Sequence, residues 1–188
     1  MNNQLKKRLE KRNSIIKWLI YYFIISLSYV YMTTIHFNIP NPIFLVPIAI
    51  CISMNEEPLN AAITGCICGL MTDSAMGTLV GFHAIILMWC CTITSLLFMF
   101  IMRQHILNVI FITFIVTLIQ AFLNYLFYYA IWGYDKNGMI LLDYFLPTLI
   151  FTNISTIAFY YLIKITATKF GIIKEHFIEE KSDAIVRE

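Results

Sequence analysis

Residues 65–81 read GCICGLMTDSAMGTLVG, and this stretch is the most informative about how the chain folds. It places a glycine or an acid at every fourth position: Gly65, Gly69, Asp73, Gly77 and Gly81. Glycine weakens a helix in water. In lipid, however, small residues spaced by four let two helix backbones approach closely, because packing drives helix association there. The stretch therefore predicts closely packed helices inside a membrane.

The composition of the whole chain also indicates a membrane protein. Of its 188 residues, 60% are hydrophobic and 13% are charged, whereas a soluble domain has about 25% charged residues. Basic residues crowd residues 1–17, which favours a topology signal with affinity for anionic lipid headgroups over nucleic-acid binding. The five cysteines lie in apolar runs without the spacing of a zinc or redox site, and we interpret them as buried free thiols.

Six apolar runs define the predicted helices. Four approach or exceed the roughly 20 residues that a membrane-spanning helix needs: 18–35, 80–102, 106–132 and 139–163. Two shorter runs, 42–54 and 59–72, are separated by a polar break that contains Glu56 and Glu57. Re-entry from one side would leave both acids near the midplane, at about 2.5–3.5 kcal/mol each. We therefore expect both short runs to cross, with the acids in water.

These runs predict an all-α membrane protein with six transmembrane helices, of which the second and third are short. Residues 1–17 form a basic segment, 18–163 the transmembrane domain and 164–188 a charged tail. Arg103 and the lysines of the tail fall on the same side as the basic segment. The loops on the opposite side contain a single lysine, Lys136, and no arginine. The positive-inside rule then places both termini of this multi-pass protein in the cytoplasm.

The third run carries a candidate packing or partner-docking face. If residues 61–73 are helical, every fourth residue from Ala61 to Asp73 lies on one face of the helix. Gly77 and Gly81 continue the same spacing and flank the turn that follows. The set is Ala61, Gly65, Gly69, Asp73, Gly77 and Gly81. Either this chain's own helices or a partner's membrane helix could close the face. Asp73 is expected at the hydrated end, where it caps the next helix or relays protons with His83.

A second candidate is a stripe of polar residues inside the membrane. It consists of Thr113, Thr117, Gln120 and Asn124 on the fifth run, with Asn153 on the sixth. Such groups hydrogen-bond between helices, at about 0.6 kcal/mol each. We expect partners on the sixth run, although a pocket for a polar ligand or a seam for another protein fits the same pattern.

Sequence motifs of catalysis are missing from the chain. It has no glycine-rich phosphate loop, no H-E-x-x-H, no G-x-S-x-G and no pair of membrane aspartates. We therefore expect no catalytic residues, no cofactor and no metal.

The segment from Pro40 to Leu97 resembles MreD, the rod shape-determining membrane protein family of bacteria. The G-x3-G-x3-D-x3-G-x3-G run of residues 65–81 is the most specific part of this resemblance. It implies a non-enzymatic subunit of the elongation complex that builds lateral peptidoglycan. The implied partners are MreC, the RodA–penicillin-binding protein 2 synthase and MreB filaments, in addition to membrane lipids.

MreD-like proteins are thought to share a fold with the substrate-binding S components of energy-coupling-factor vitamin transporters, which supply the alternative function. The first span of an S component usually carries an A-x-x-x-A face. Residues 18–35 read WLIYYFIISLSYVYMTTI, without an alanine, which disfavours that alternative. A six-span protein unrelated to either family is the third interpretation.

Overall fold

The computed structural model describes residues 2–34, 43–102, 104–127 and 146–170. The regular structure of these residues is entirely helical, which confirms the predicted class. The helices are α1 (Asn2–Thr34), α2 (Leu45–Ser53), α3 (Pro58–Met76), α4 (Phe82–Phe100), α5 (Ile106–Tyr125) and α6 (Leu146–Phe170). The predicted opposite-side turn with Lys136 and most of the predicted tail lie outside the described residues.

Four of these helices contain segments long and apolar enough to cross a membrane. The segments are Arg12–Thr34, Phe82–Phe100, Ile106–Tyr125 and Pro147–Lys169. They fall on the four long runs of the sequence. The last helix continues to Phe170, beyond the predicted boundary at 163, because that boundary followed the fall in hydropathy and residues 164–170 contain no Gly or Pro that would end a helix. The chain therefore has the character of a membrane protein.

The second and third helices differ from the predicted pair of short spans. α2 has 9 residues and is about 13 Å long at 1.5 Å per residue. α3 has 19 residues, or about 28 Å, so the prediction of a short third helix is wrong. Pro58 starts α3 in its first turn, where a missing N–H costs nothing. The helix then continues past Asp73 to Gly77, whose left-handed conformation ends it.

α2 forms the centre of the bundle. All of its side chains are buried, and each of the other five described helices packs against it. Its sequence LVPIAICIS is apolar on every side, as expected of a helix with no solvent or lipid face. α2 is therefore both the shortest of the described helices and the one whose side chains are all buried.

The outer helices carry their apolar side chains outward. On α5, Phe111 and Phe122 are 60% and 57% exposed, whereas Thr113, Thr117 and Gln120 are buried. The outward faces of α1, α4 and α6 are likewise apolar. Such extensive exposed apolar surface exceeds what soluble monomers carry, and a lipid environment accounts for it.

Side-chain contacts define two ends of the bundle. At the basic end, Lys17 pairs with Glu56, the Gln104 side chain donates to the Met54 carbonyl, and Tyr160 donates to the Gln104 carbonyl. The turn end contains residues 77–81, where α3 passes into α4. α3 begins beside Glu56 and ends at the turn, α4 begins at the turn and brings Ser95, near its own end, to the Glu56 carbonyl, and α5 begins beside Gln104. These three helices therefore run in alternating directions.

Candidate functional site

The turn between α3 and α4 is built on two glycines. Gly77 caps α3 at φ +66° and Gly81 precedes α4 at φ +100°. They are the only described residues with positive φ. Side chains strain this backbone region, since a Cβ crowds the neighbouring carbonyl. The last two glycines of the motif are therefore needed for backbone conformation, since an added Cβ would meet no atom within 4 Å at either position.

The first two glycines have a different role, which is contact with α4. A Cβ on Gly69 would lie 2.3 Å from the Ala84 Cα, and one on Gly65 would lie 2.8 Å from the Leu87 carbonyl oxygen. Both distances are far inside van der Waals contact. Ala61 is also fully buried. The helices of this chain itself therefore close the glycine face at Gly65 and Gly69, which leaves no room there for a partner's helix.

Asp73 lies at the centre of the turn end and is completely buried. Its Oδ2 accepts from the Gly81 N–H at 2.8 Å, and its Oδ1 accepts from the His83 N–H at 3.2 Å. The Thr78 hydroxyl donates to Oδ1 at 3.0 Å. The carboxylate thus caps the N-terminus of α4, as expected for one of the two alternatives. The sequence did not require Asp73 to be buried, but the turn folds back over it.

His83 continues the hydrogen-bond chain from Asp73 to α5. Its Nδ1 lies 2.6 Å from Asp73 Oδ1, and its Nε2 lies 3.0 Å from Asn124 Nδ2. If the Asn124 amide donates to Nε2, the ring proton lies on Nδ1 and is donated to Asp73. The Asp73–His83–Asn124 chain, as we call it, joins three helices inside the bundle.

This geometry differs from that of a nucleophilic triad. In a triad, the acid and the nucleophile lie at opposite ring nitrogens of the histidine. Here the Thr78 hydroxyl and the Asp73 carboxylate both approach Nδ1, the hydroxyl at 3.5 Å, while an amide occupies the opposite nitrogen. Among the described residues, no group of three or more His, Cys, Asp or Glu side chains could hold a metal ion. The chain of contacts can clamp helices and hold a proton.

The polar stripe divides into separate environments. The hydroxyls of Thr113 and Thr117 donate to carbonyls one turn back on α5, at 2.8 Å each, and Asn153 donates to the Leu149 carbonyl on its own helix. Asn124 alone reaches another helix, and that helix is α4 instead of the expected sixth. Gln120 is buried, and neither of its amide atoms has a partner among the residues that the structure describes. The stripe is therefore not a continuous bond between α5 and α6.

Sequence reasoning missed a buried ion pair at the basic end. The Lys17 Nζ lies 2.6 Å from the Glu56 Oε1, and both side chains are almost fully buried. Ser95 donates to the Glu56 carbonyl oxygen at 2.7 Å. The expectation that Glu56 lies in water is wrong, whereas Glu57 is exposed. The one feature of the sequence that could have indicated the pair is the position of Lys17, the last basic residue before the first apolar run.

No protein-family model, no curated protein and no solved structure matches this chain.

Proposed function

We propose that this chain is a non-enzymatic membrane subunit of the bacterial elongation complex, of the MreD type, which binds MreC and supports lateral peptidoglycan synthesis. The 65–81 motif carries the proposal. Its five repeated positions divide into two helix contacts, one buried cap and two turn glycines. Five position-specific structural roles favour a motif that builds a scaffold over one that performs chemistry.

The proposed topology has six crossings with both termini in the cytoplasm. Four helices qualify as spans by length and composition, and α3 has sufficient length. α2 is too short to cross alone, so residues before it or local thinning of the bilayer must complete that crossing. The alternating helix directions and the location of Lys17 at the basic end favour this arrangement under the positive-inside rule.

The outward face of α3 is the proposed docking site for the membrane helix of MreC. α3 is 19 residues long but is not among the helices apolar enough to qualify as spans. Its outward face mixes apolar Leu59, Ile63 and Leu70 with the exposed Ser74. A protein helix can pack against this mixed face, because packing and polar contacts drive helix association in lipid. The opposite, glycine-bearing face already contacts α4.

Co-purification with MreC tests this docking site. Ile63→Trp places bulk on the outward face of α3, whereas Ile93→Trp is the matched change on the outward face of α4, where Ile93 is 51% exposed. We expect Ile63→Trp to reduce recovery of MreC at least about tenfold, the effect of roughly 1.4 kcal/mol, while Ile93→Trp leaves it unchanged. Equal recovery with both variants would exclude α3 as the interface.

Depletion of the protein in its host tests the function itself. Rod-shaped cells should become round, because lateral wall synthesis loses a subunit. An unchanged shape together with a new vitamin requirement would refute the scaffold and favour a transporter S component. Gly69→Leu is unsuitable as an interface test, since its side chain would collide with the α4 backbone.

A further inference from the structure

The side-chain amide of Gln120 is buried without a hydrogen-bond partner in the described part of the chain. Gln120 is 2% exposed, and neither its Nε2 nor its Oε1 is bonded. The neighbouring hydroxyls of Thr113 and Thr117 on the same helix satisfy themselves on backbone carbonyls. A buried amide loses its hydration on folding and is strongly unfavourable unless something replaces it. Its free donor and acceptor therefore point to a partner from outside the described residues.

A further free acceptor lies one helical turn along α5. Asn124 follows Gln120 by four residues, so both share one face. Its Nδ2 contacts His83, which leaves its Oδ1 without a partner. The Asp73 carboxylate is fully engaged by the turn and by His83. The open groups are thus two neutral acceptors, Gln120 Oε1 and Asn124 Oδ1, and one neutral donor, Gln120 Nε2.

We propose that Gln120 and Asn124 form a binding site for a small neutral molecule that carries a lactam or a primary carboxamide. Such a group presents an N–H beside a C=O, and it pairs with the Gln120 amide through two antiparallel hydrogen bonds. The free groups carry no formal charge, so nothing in the set compensates an ionic ligand. Val116, one turn before Gln120 on the same face, is buried and apolar, which suits an apolar body. The site goes beyond the scaffold role and does not depend on it.

Thermal unfolding of the full-length protein in detergent micelles or nanodiscs tests this site. The probes are δ-valerolactam and its N-methyl derivative, which has a similar shape but lacks the N–H donor. A ligand that binds only the folded state raises the melting temperature. We expect δ-valerolactam to raise it in a saturable manner, with an affinity at least about tenfold higher than that of the N-methyl compound, because the lost donor leaves Gln120 Oε1 unpaired.

Two substitutions of glutamine by leucine complete the experiment. Gln120→Leu removes the amide at similar size, so we expect no loss of unliganded stability and no discrimination between the lactams. Gln104→Leu is the matched control, since Gln104 already donates to the Met54 carbonyl at 3.1 Å; it should lower the melting temperature and retain the lactam response. The site would be refuted if δ-valerolactam did not stabilise the wild-type protein, or if both compounds stabilised it equally. Water would then be the partner of the Gln120 amide. A lactam response retained by Gln120→Leu would refute it as well.

Discussion

The two ends of the bundle each bury a carboxylate, but they stabilise it in different ways. Asp73, at the turn end, accepts from two backbone N–H groups, one hydroxyl and one imidazole, all within ten residues along the chain. Glu56, at the basic end, is paired with the single long side chain of Lys17. Backbone donors are held in place by the turn, whereas a lysine must be ordered. The turn end is therefore preorganised, and the basic end depends on a flexible partner.

The largest effect is expected from loss of the charge at the turn end. Asp73→Asn keeps the size of the side chain but directs an NH₂ group at donors that require an acceptor. Breaking a buried, hydrogen-bonded charge by changing one partner costs about 3–5 kcal/mol. We expect a large drop in melting temperature and in the monodisperse fraction in detergent. Glu57→Gln, the same type of change on an exposed residue, should melt like the wild type. Equal melting of both variants would remove the contrast between the ends.

The next effect tests whether the turn end also depends on helix contact. Gly69→Ala should cost about 1–3 kcal/mol, the range for overpacking, although alanine alone would favour a helix by up to about 1 kcal/mol. The obstacle is the Ala84 backbone, which cannot move as a side chain can. Thermal unfolding measures the change, and Ser74→Ala on the exposed side of α3 is the control. A stabilised Gly69→Ala protein would show that the two helices are further apart than described.

A smaller effect isolates the backbone of the turn. An alanine at Gly81 or Gly77 meets no atom within 4 Å, so only the positive φ is penalised, by about 1–2 kcal/mol per residue. Gly77→Asn should cost less than Gly77→Ala, because asparagine tolerates φ near +66°. Melting temperatures of the three variants give the comparison. Equal values for asparagine and alanine at Gly77 would show that the cost does not come from conformation.

Local patterns account for what the sequence predicted correctly at the turn end. The four-residue register identified both the contact glycines and the turn glycines, and the capping role of Asp73 follows from its position before the turn. The length of α3 was missed because hydropathy falls at Thr72, while Gly77 is what ends the helix. The burial of Glu56 depends on a residue far earlier in the chain, which no local pattern encodes. The same reason explains why Asn124 was assigned a partner on the wrong helix.

The smallest effect is expected at the basic end, and it depends on pH. Burial raises the pKa of the Glu56 carboxyl above its ordinary value of 4.5, and the attraction of Lys17 offsets this only in part. A raised pKa in the folded state means that the contribution of Glu56 to stability is complete below that ordinary value and is lost as the pH rises through the raised one. The advantage of wild type over Glu56→Gln in melting temperature should therefore be larger near pH 4 than at pH 7.

At neutral pH, Glu56→Gln should lie within about 1 kcal/mol of the wild type. The loss of about 3–5 kcal/mol that follows removal of one partner of a buried pair arises when the other charge stays buried. The long stem of Lys17 can instead extend its amine toward water at this end of the bundle. Glu57→Gln should show no such dependence on pH, since Glu57 is exposed. If the wild type instead gains stability over Glu56→Gln as the pH rises, the pairing with Lys17 outweighs burial. The basic end would then stabilise its carboxylate as firmly as the turn end does, and the flexibility of a lysine would not distinguish them.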